Sequence, residues 1–183
     1  MGEPLLSIGS EPRISQPPTD GTVSAGTLRQ GSVHRLVAFR LGCQRYAFHL
    51  PVVERVLRMV AVSLLPKAPA IVLGVVNFHG QVIPVLDLQR RFGHSSRNHG
   101  LSSTLLVART NRRTMALPVD EVLGVQEVAA EIVTLPAAVV PGIDLVAGIA
   151  ALSDGVLFIH DLDAFLSLDE EQRLTEALEG QPE

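Results

Sequence analysis

The sequence predicts a mainly β protein made of two similar small β-barrels packed side by side, with a few short helices. Three observations lead there. Short runs rich in β-branched residues recur along the chain, each bounded by Gly, Asn, Asp, Pro or Arg clusters. Helical signals are few and short. The chain also repeats itself loosely at an offset of 67 to 75 residues.

Residues 1–32 hold five Gly, four Pro and five Ser without apolar periodicity, which predicts a flexible tail. The body then reads as strands at Leu36–Leu41, Tyr46–Leu50, Val75–Phe78, Val82–Leu86, Leu105–Ala108, Val119–Val125 and Val156–Ile159. Gly42–Arg45, Thr110–Arg113 and Ser153–Gly155 have the composition of hairpin turns. Short helices are expected at Pro69–Leu73, Asp87–Phe92 and Asp161–Leu166, the last two opened by Asp as N-cap. Ser167 with Glu170 forms a capping box and Gly180 a stop. A short acidic helix, solvated on its surface, is therefore expected to end the chain within residues 169–183.

The repeat sets the architecture. Leu65-Pro66-x-Ala68 returns as Leu135-Pro136-x-Ala138, and Gly74-Val75-Val76 as Gly148-Ile149-Ala150. The stretch Gly80 to Leu88 returns loosely as Gly155 to Leu162, and Leu50-Pro51-Val52 as Leu117-Pro118-Val119. Two units of this period are too few for a propeller or solenoid. Each is too small to bury much core alone, so a shared apolar seam is expected. The first barrel is placed at roughly 33–103 and the second at roughly 104–166, with exchange of elements between them allowed for. A seam of this kind leaves an outer groove, a natural partner site.

Composition excludes several functions. The chain has 183 residues, 46% hydrophobic, a net charge of −4 and a single lysine, Lys67. That is no footprint for nucleic acid or an anionic membrane. Tryptophan is absent and aromatics are 4%, which leaves no stacking platform for bases. The lone Cys43 rules out an internal disulfide and fits a reducing compartment. The N-terminus lacks a basic signal region, and the longest apolar stretch, Ala137–Leu152, is broken by Pro141, Gly142 and Asp144. A cytoplasmic location and no membrane insertion are the expectation. No P-loop, dinucleotide fingerprint or nucleophile elbow is present. No catalytic residue, metal or cofactor is assigned.

His94 and His99 lie in a Ser/Arg/Asn/Gly-rich loop that would fix metal geometry poorly. His160-Asp161-x-Asp163 is the one cluster that could serve an enzyme, as a metal-binding carboxylate pair with a histidine. A helix cap explains Asp161 better, because the matching Val85-Leu86-Asp87-Leu88-Gln89 keeps the Asp without the histidine or the second acid. Cys43 sits beside Arg45 with no base at a motif spacing. Arg109, Arg112 and Arg113 read as a solvated hairpin tip. Asn77 and His79 stand in a polar turn inside an apolar frame, where they can hold the turn or project towards a partner.

Residues 35–168 resemble the CheW-like domain of bacterial chemosensory adaptors. The landmarks are Leu36–Leu41, Tyr46–Val52 with Val56, Leu65–Pro69, Gly74–Gly80, Val82–Leu88 and Phe92-Gly93. Val119–Val122, Leu135-Pro136, Gly148–Ala150 and Asp161-Leu162 follow in the second half. The resemblance implies two five-stranded SH3-like barrels within residues 33–168 and no catalysis. It implies an adaptor that links the signalling tip of a methyl-accepting chemoreceptor to the regulatory domain of a CheA-type histidine kinase, in chemotaxis. Other CheW-like proteins are a further candidate partner. The receptor's helical hairpin would lie in the groove near Val53, Val56, Asn77, Gly80 and Leu105. Two departures stand out. The family's Asn-x-Arg-Gly turn reads Asn77-Phe78-His79-Gly80, and Arg55 stands where the family commonly has Glu. An acid–base pair has become Arg55 facing His79. These departures support an alternative within the family, a scaffold or inhibitor for a non-flagellar pathway such as pili, gliding or biofilm signalling. The remaining alternative is a small β-barrel enzyme using His160, Asp161 and Asp163.

Overall fold

The computed structural model describes residues 32–94, 99–100, 102–135 and 145–180. The expected tail lies outside the described residues except for Ser32, and so do Pro136, Ala138 and most of the apolar stretch before Leu145.

The first hairpin is β1 (Val33–Leu41) and β2 (Gln44–His49). After a 3-10 turn at Leu50–Val52 come β3 (Val53–Arg58), β4 (Val72–Phe78), β5 (Gln81–Leu86) and the single-turn helix α1 (Leu88–Arg91). A second hairpin follows, β6 (Thr104–Arg109) and β7 (Thr114–Val119). The chain then forms β8 (Glu121–Ala129), the two-residue β9 (Val133–Thr134), β10 (Val146–Leu152) and β11 (Gly155–His160). A 3-10 turn at Leu162–Ala164 leads into the last helix, α2 (Leu168–Glu179).

Two sheets result, ordered β8-β1-β2-β11-β10-β9 and β3-β6-β7-β5-β4. The orders correspond strand for strand. Each has a central antiparallel hairpin, one antiparallel neighbour on one side and one parallel neighbour on the other. In place of β9, the second sheet has an isolated bridge between Ser63 and Val75. The sheets do not divide the chain at 103/104. Residues 53–119 build one, while the opening hairpin joins β8–β11 in the other. Parallel pairing of β2 with β11 requires a long crossover, and the whole intervening sheet supplies it.

The repeated glycines have a physical cause. Both β4 and β10 carry a bulge just before Gly74 and Gly148. At Gly74, φ is +151° and a Cβ would run into the Ser63 carbonyl; at Gly148 it would sit 2.6 Å from Val133 Cγ1. In each barrel an incoming segment crosses the strand where no side chain fits. The Leu50–Val52 and Leu117–Val119 match is not structural, because one is a 3-10 turn and the other ends a strand.

Three apolar clusters follow from strand alternation. Leu36, Ala38, Ala47, Leu157 and Ile159 fill the first barrel. Val76, Ile83, Val85, Leu105, Val107 and Ala116 fill the second. The opposite faces of the same strands meet in a larger seam, with Phe39, Tyr46 and Phe48 from one barrel and Leu106, Met115 and Leu117 from the other. The expected seam is therefore the largest core of the molecule.

Pro69–Leu73 is not a helix: its end closes as a turn, Val72 N–H donating to the Pro69 carbonyl at 2.9 Å, and Val72 already starts β4. The run Val119–Val125 is two strands, broken at Asp120, whose carboxylate accepts from Gly42 N–H at 2.6 Å. The acidic helix is docked rather than solvated. Leu174 and Ala177 of α2 enter the seam, and Glu171 is buried with them. Arg91 holds Glu170 at 2.6 Å and Arg113 holds Glu171 at 2.7 Å. Burial pushes the Glu170 carboxyl up, but hydrogen bonds from Ser167 and Arg91 outweigh it and hold the group below its ordinary value. Arg113, expected at a solvated tip, is thus a tether between the second barrel and α2, and also donates to Thr175 Oγ1 at 2.7 Å.

Candidate partner-binding surface

Strand β3 and strand β4 are the two edges of the second sheet. The β4–β5 hairpin closes with Phe78 opposite Gln81, leaving a two-residue loop, His79-Gly80. Both residues have positive φ, +53° and +85°. That is the backbone a tight hairpin loop needs to match the strand twist, and it explains Gly80. Asn77 Oδ1 accepts from Gly80 N–H at 2.8 Å and fixes the loop. His79 is turned outward and its ring packs edge-on against Phe78, with centroids 4.5 Å apart.

Arg55 reaches this loop from the other edge. Its Nη1 donates to His79 Nε2 across 3.4 Å, a long bond at an exposed position. The two departures from the family pattern therefore meet in space. With the Ser63–Val75 bridge, their contact draws the two edge strands together. Val56 pairs with Leu106 and Arg55 with Val107, so the two face opposite sides of β3. Val56 is 46% exposed, and Val53 is half-buried against the seam between the barrels.

Leu105 does not belong to this surface. It is 1% exposed and fills the interior of the second barrel, where no partner can touch it. The structure brings Arg55, Asn77, His79 and Gly80 together, with Val53 and Val56 on the adjoining strand. Arg58 on β3 and Val60 just beyond it are also exposed, and neither was among the expected contacts. Val82 lies directly opposite Asn77 on the hairpin. No alternation marks Val82, because its strand is buried without interruption from Ile83 to Leu86 and Val82 reads like those apolar neighbours.

The His160 cluster is dispersed among structural tasks. Asp161 caps the 3-10 turn by accepting from Asp163 N–H at 3.0 Å. Asp163 accepts from the backbone and the side-chain amide of Asn111 at 2.9 and 2.8 Å. His160 is buried, its Nδ1 bonded to the Leu145 carbonyl at 2.8 Å, and burial pushes its pKa down to about 4. Among the described residues no group of three His, Cys, Asp or Glu side chains is placed to hold a metal. Cys43 is exposed in the β1–β2 turn, at the edge of an open cleft of about 720 Å³. His94 borders the same cleft, but its Nε2 lies 2.7 Å from the Tyr46 hydroxyl, so it is anchored rather than loosely solvated.

Charge is divided between the barrels. Residues 53–119 carry Arg55, Arg58, Lys67, Arg90, Arg91, Arg97, Arg109, Arg112 and Arg113 against only two acids, Glu54 and Asp87. Asp87 is buried as the N-cap of α1, and Glu54 lies 3.7 Å from Arg109. The first barrel and α2 hold nearly all the remaining acids of the described chain.

Two packed β-barrels with an exposed edge strand beside a rigid turn define a binding scaffold. The CheW-like domain family matches residues 35–170, and the chain belongs to that family. It is thereby a chemotaxis-type scaffold protein. The chain is 28% identical over 148 residues to a probable chemotaxis protein CheW of Rhizobium etli, covering 80% of this chain and 95% of that one. It is 32% identical over 90 residues to protein FrzA of Myxococcus xanthus, covering 49% of this chain and 56% of the relative. The solved structure of scaffolding protein TtCheW from Thermoanaerobacter tengcongensis superposes with a TM-score of 0.69 at 26% identity, over 76% of this chain and 96% of that one.

Proposed function

We propose that this protein is a non-catalytic adaptor that couples chemoreceptor signalling tips to the regulatory domain of a CheA-type histidine kinase in the cytoplasm. The observation that carries the reading is the surface of β3 and the Asn77 turn, set beside the seam in a chain of this family. An exposed valine on an edge strand, next to a turn held by its own side chain, is suited to an apolar helical anchor with a polar rim. The absence of catalysis is part of the proposal. It is supported by the carboxylates of Asp161 and Asp163, which are consumed by caps and loop contacts. No helix among the described residues is long and apolar enough to cross a membrane.

A second reading is a scaffold for a pathway other than flagellar taxis. The Arg55–His79 contact favours it, as does the likeness to FrzA, a relative that does not carry the CheW name.

The test is titration of the full chain and of Val56→Glu against a receptor signalling-tip hairpin and against the kinase regulatory domain. Burying a charge at an apolar anchor lowers receptor affinity by about tenfold or more. Kinase affinity is expected to stay unchanged. Equal loss for both partners, or for neither, contradicts the assignment of this surface to the receptor.

A further inference from the structure

The first barrel neutralises its own arginines. Arg35, Arg40 and Arg45 lie 3.7, 2.6 and 2.6 Å from Glu127, Glu121 and Asp154. The edge strand β3 of the second barrel does not. Its one acid, Glu54, lies beside Arg109 rather than beside Arg55 or Arg58. Among the described residues neither Arg55 nor Arg58 has a carboxylate within ion-pair distance, and the only neighbour bonded to the Arg55 guanidinium is the His79 ring. Both arginines are exposed. Arg58 shares its face of β3 with Val56, whereas Arg55 faces the other side; Val56 and, just beyond the strand, Val60 are both exposed. An Arg55 paired with a glutamate would be electrically quiet. Here the edge strand carries two uncompensated guanidinium groups, Arg55 on the side of the Asn77 turn and Arg58 on the other side beside the exposed Val56.

We infer that this surface selects an anionic helical partner, one that presents Asp or Glu side chains next to its apolar anchors. The inference rests on the receptor-binding reading and deepens it by naming the charge of the receptor face. Guanidinium groups bind carboxylates through paired, directional hydrogen bonds, so the arginines would fix register as well as add attraction. A partner with a basic residue at the contact would meet like charge and be rejected, which makes the site a filter among receptors of similar shape.

The experiment uses the full chain and a receptor signalling-tip hairpin, measured at low and high salt. The proteins are the unaltered chain, the double variant Arg55→Glu with Arg58→Glu, and Arg35→Glu as a charge reversal on the other barrel. Binding of the unaltered chain should fall by about tenfold from low to high salt, and the double variant should weaken low-salt binding by about as much. Arg35→Glu should leave it within about twofold, the usual range for a surface charge outside a contact. Replacing the hairpin's contact acids with Lys should restore binding to the double variant and abolish it for the unaltered chain. Salt-independent binding that ignores Arg55 and Arg58 overturns the inference while the adaptor reading stands. Failure of the hairpin to bind the unaltered chain at either salt overturns both, and the two results cannot be confused.

Discussion

His160 should make this protein lose stability on mild acidification. Its ring is 4% exposed and sits among aromatic rings, 4.4 Å from Phe92, 5.5 Å from Tyr46 and 5.9 Å from Phe165 between centroids. Nδ1 is bonded to the Leu145 carbonyl, and Nε2 is buried without a protein partner among the described residues. Burial lowers the pKa from 6.5 to about 4, only partly opposed by the Leu145 hydrogen bond. The fold therefore binds this proton less readily than the unfolded chain does. The histidine costs nothing above about pH 6.5, and its cost grows as pH falls, reaching its full value below about pH 4. A pKa lowered from 6.5 to about 4 corresponds to about 3 kcal/mol, most of it felt by pH 4.5. Urea denaturation of the full chain and of His160→Asn at pH 7.5 and pH 4.5 isolates this effect. Asparagine keeps a donor near the Nδ1 position but does not titrate. Losses from other groups, such as Glu170, are common to both proteins and cancel. The original chain should lose about 2 to 3 kcal/mol more than His160→Asn between the two pH values. Equal losses would refute the burial argument.

Two further predictions concern the scaffold. Gly74→Ala places a Cβ against the Ser63 carbonyl at a φ of +151°, whereas Gly42→Ala, at φ +60°, meets nothing within 4 Å. The first should cost about 3 kcal/mol or more and the second about 1 kcal/mol in denaturant unfolding, and similar costs would count against the crossing at Gly74. Arg113→Ala leaves Glu171 buried without its cation and should cost about 3 kcal/mol, with hydrogen exchange rising across α2. Unchanged protection of α2 would mean that the tether does not hold it.

The parts of the fold that were legible in the sequence are those set by local chemistry. The Asp87 and Ser167 caps are in place because a side-chain oxygen and a backbone N–H within three residues suffice to form them. The repeat exposed the paired barrels because Gly74 and Gly148 each answer the same steric demand. Strand β3 was hidden because Glu54, Arg55 and Arg58 interrupt its apolar pattern. Exchange of the opening hairpin, the docking of α2 and the burial of Leu105 depend on contacts distant in sequence. Leu105 and Leu106 look alike in the chain, yet one fills a barrel and the other the seam.

The central claim is that one small scaffold joins two partners at once. Sedimentation of the full chain with a receptor signalling-tip hairpin and the kinase regulatory domain, each alone and then together, tests it most directly. The account predicts binding to each and a ternary complex more stable than either pair. Binding to neither partner, or mutually exclusive binding of the two, would contradict it.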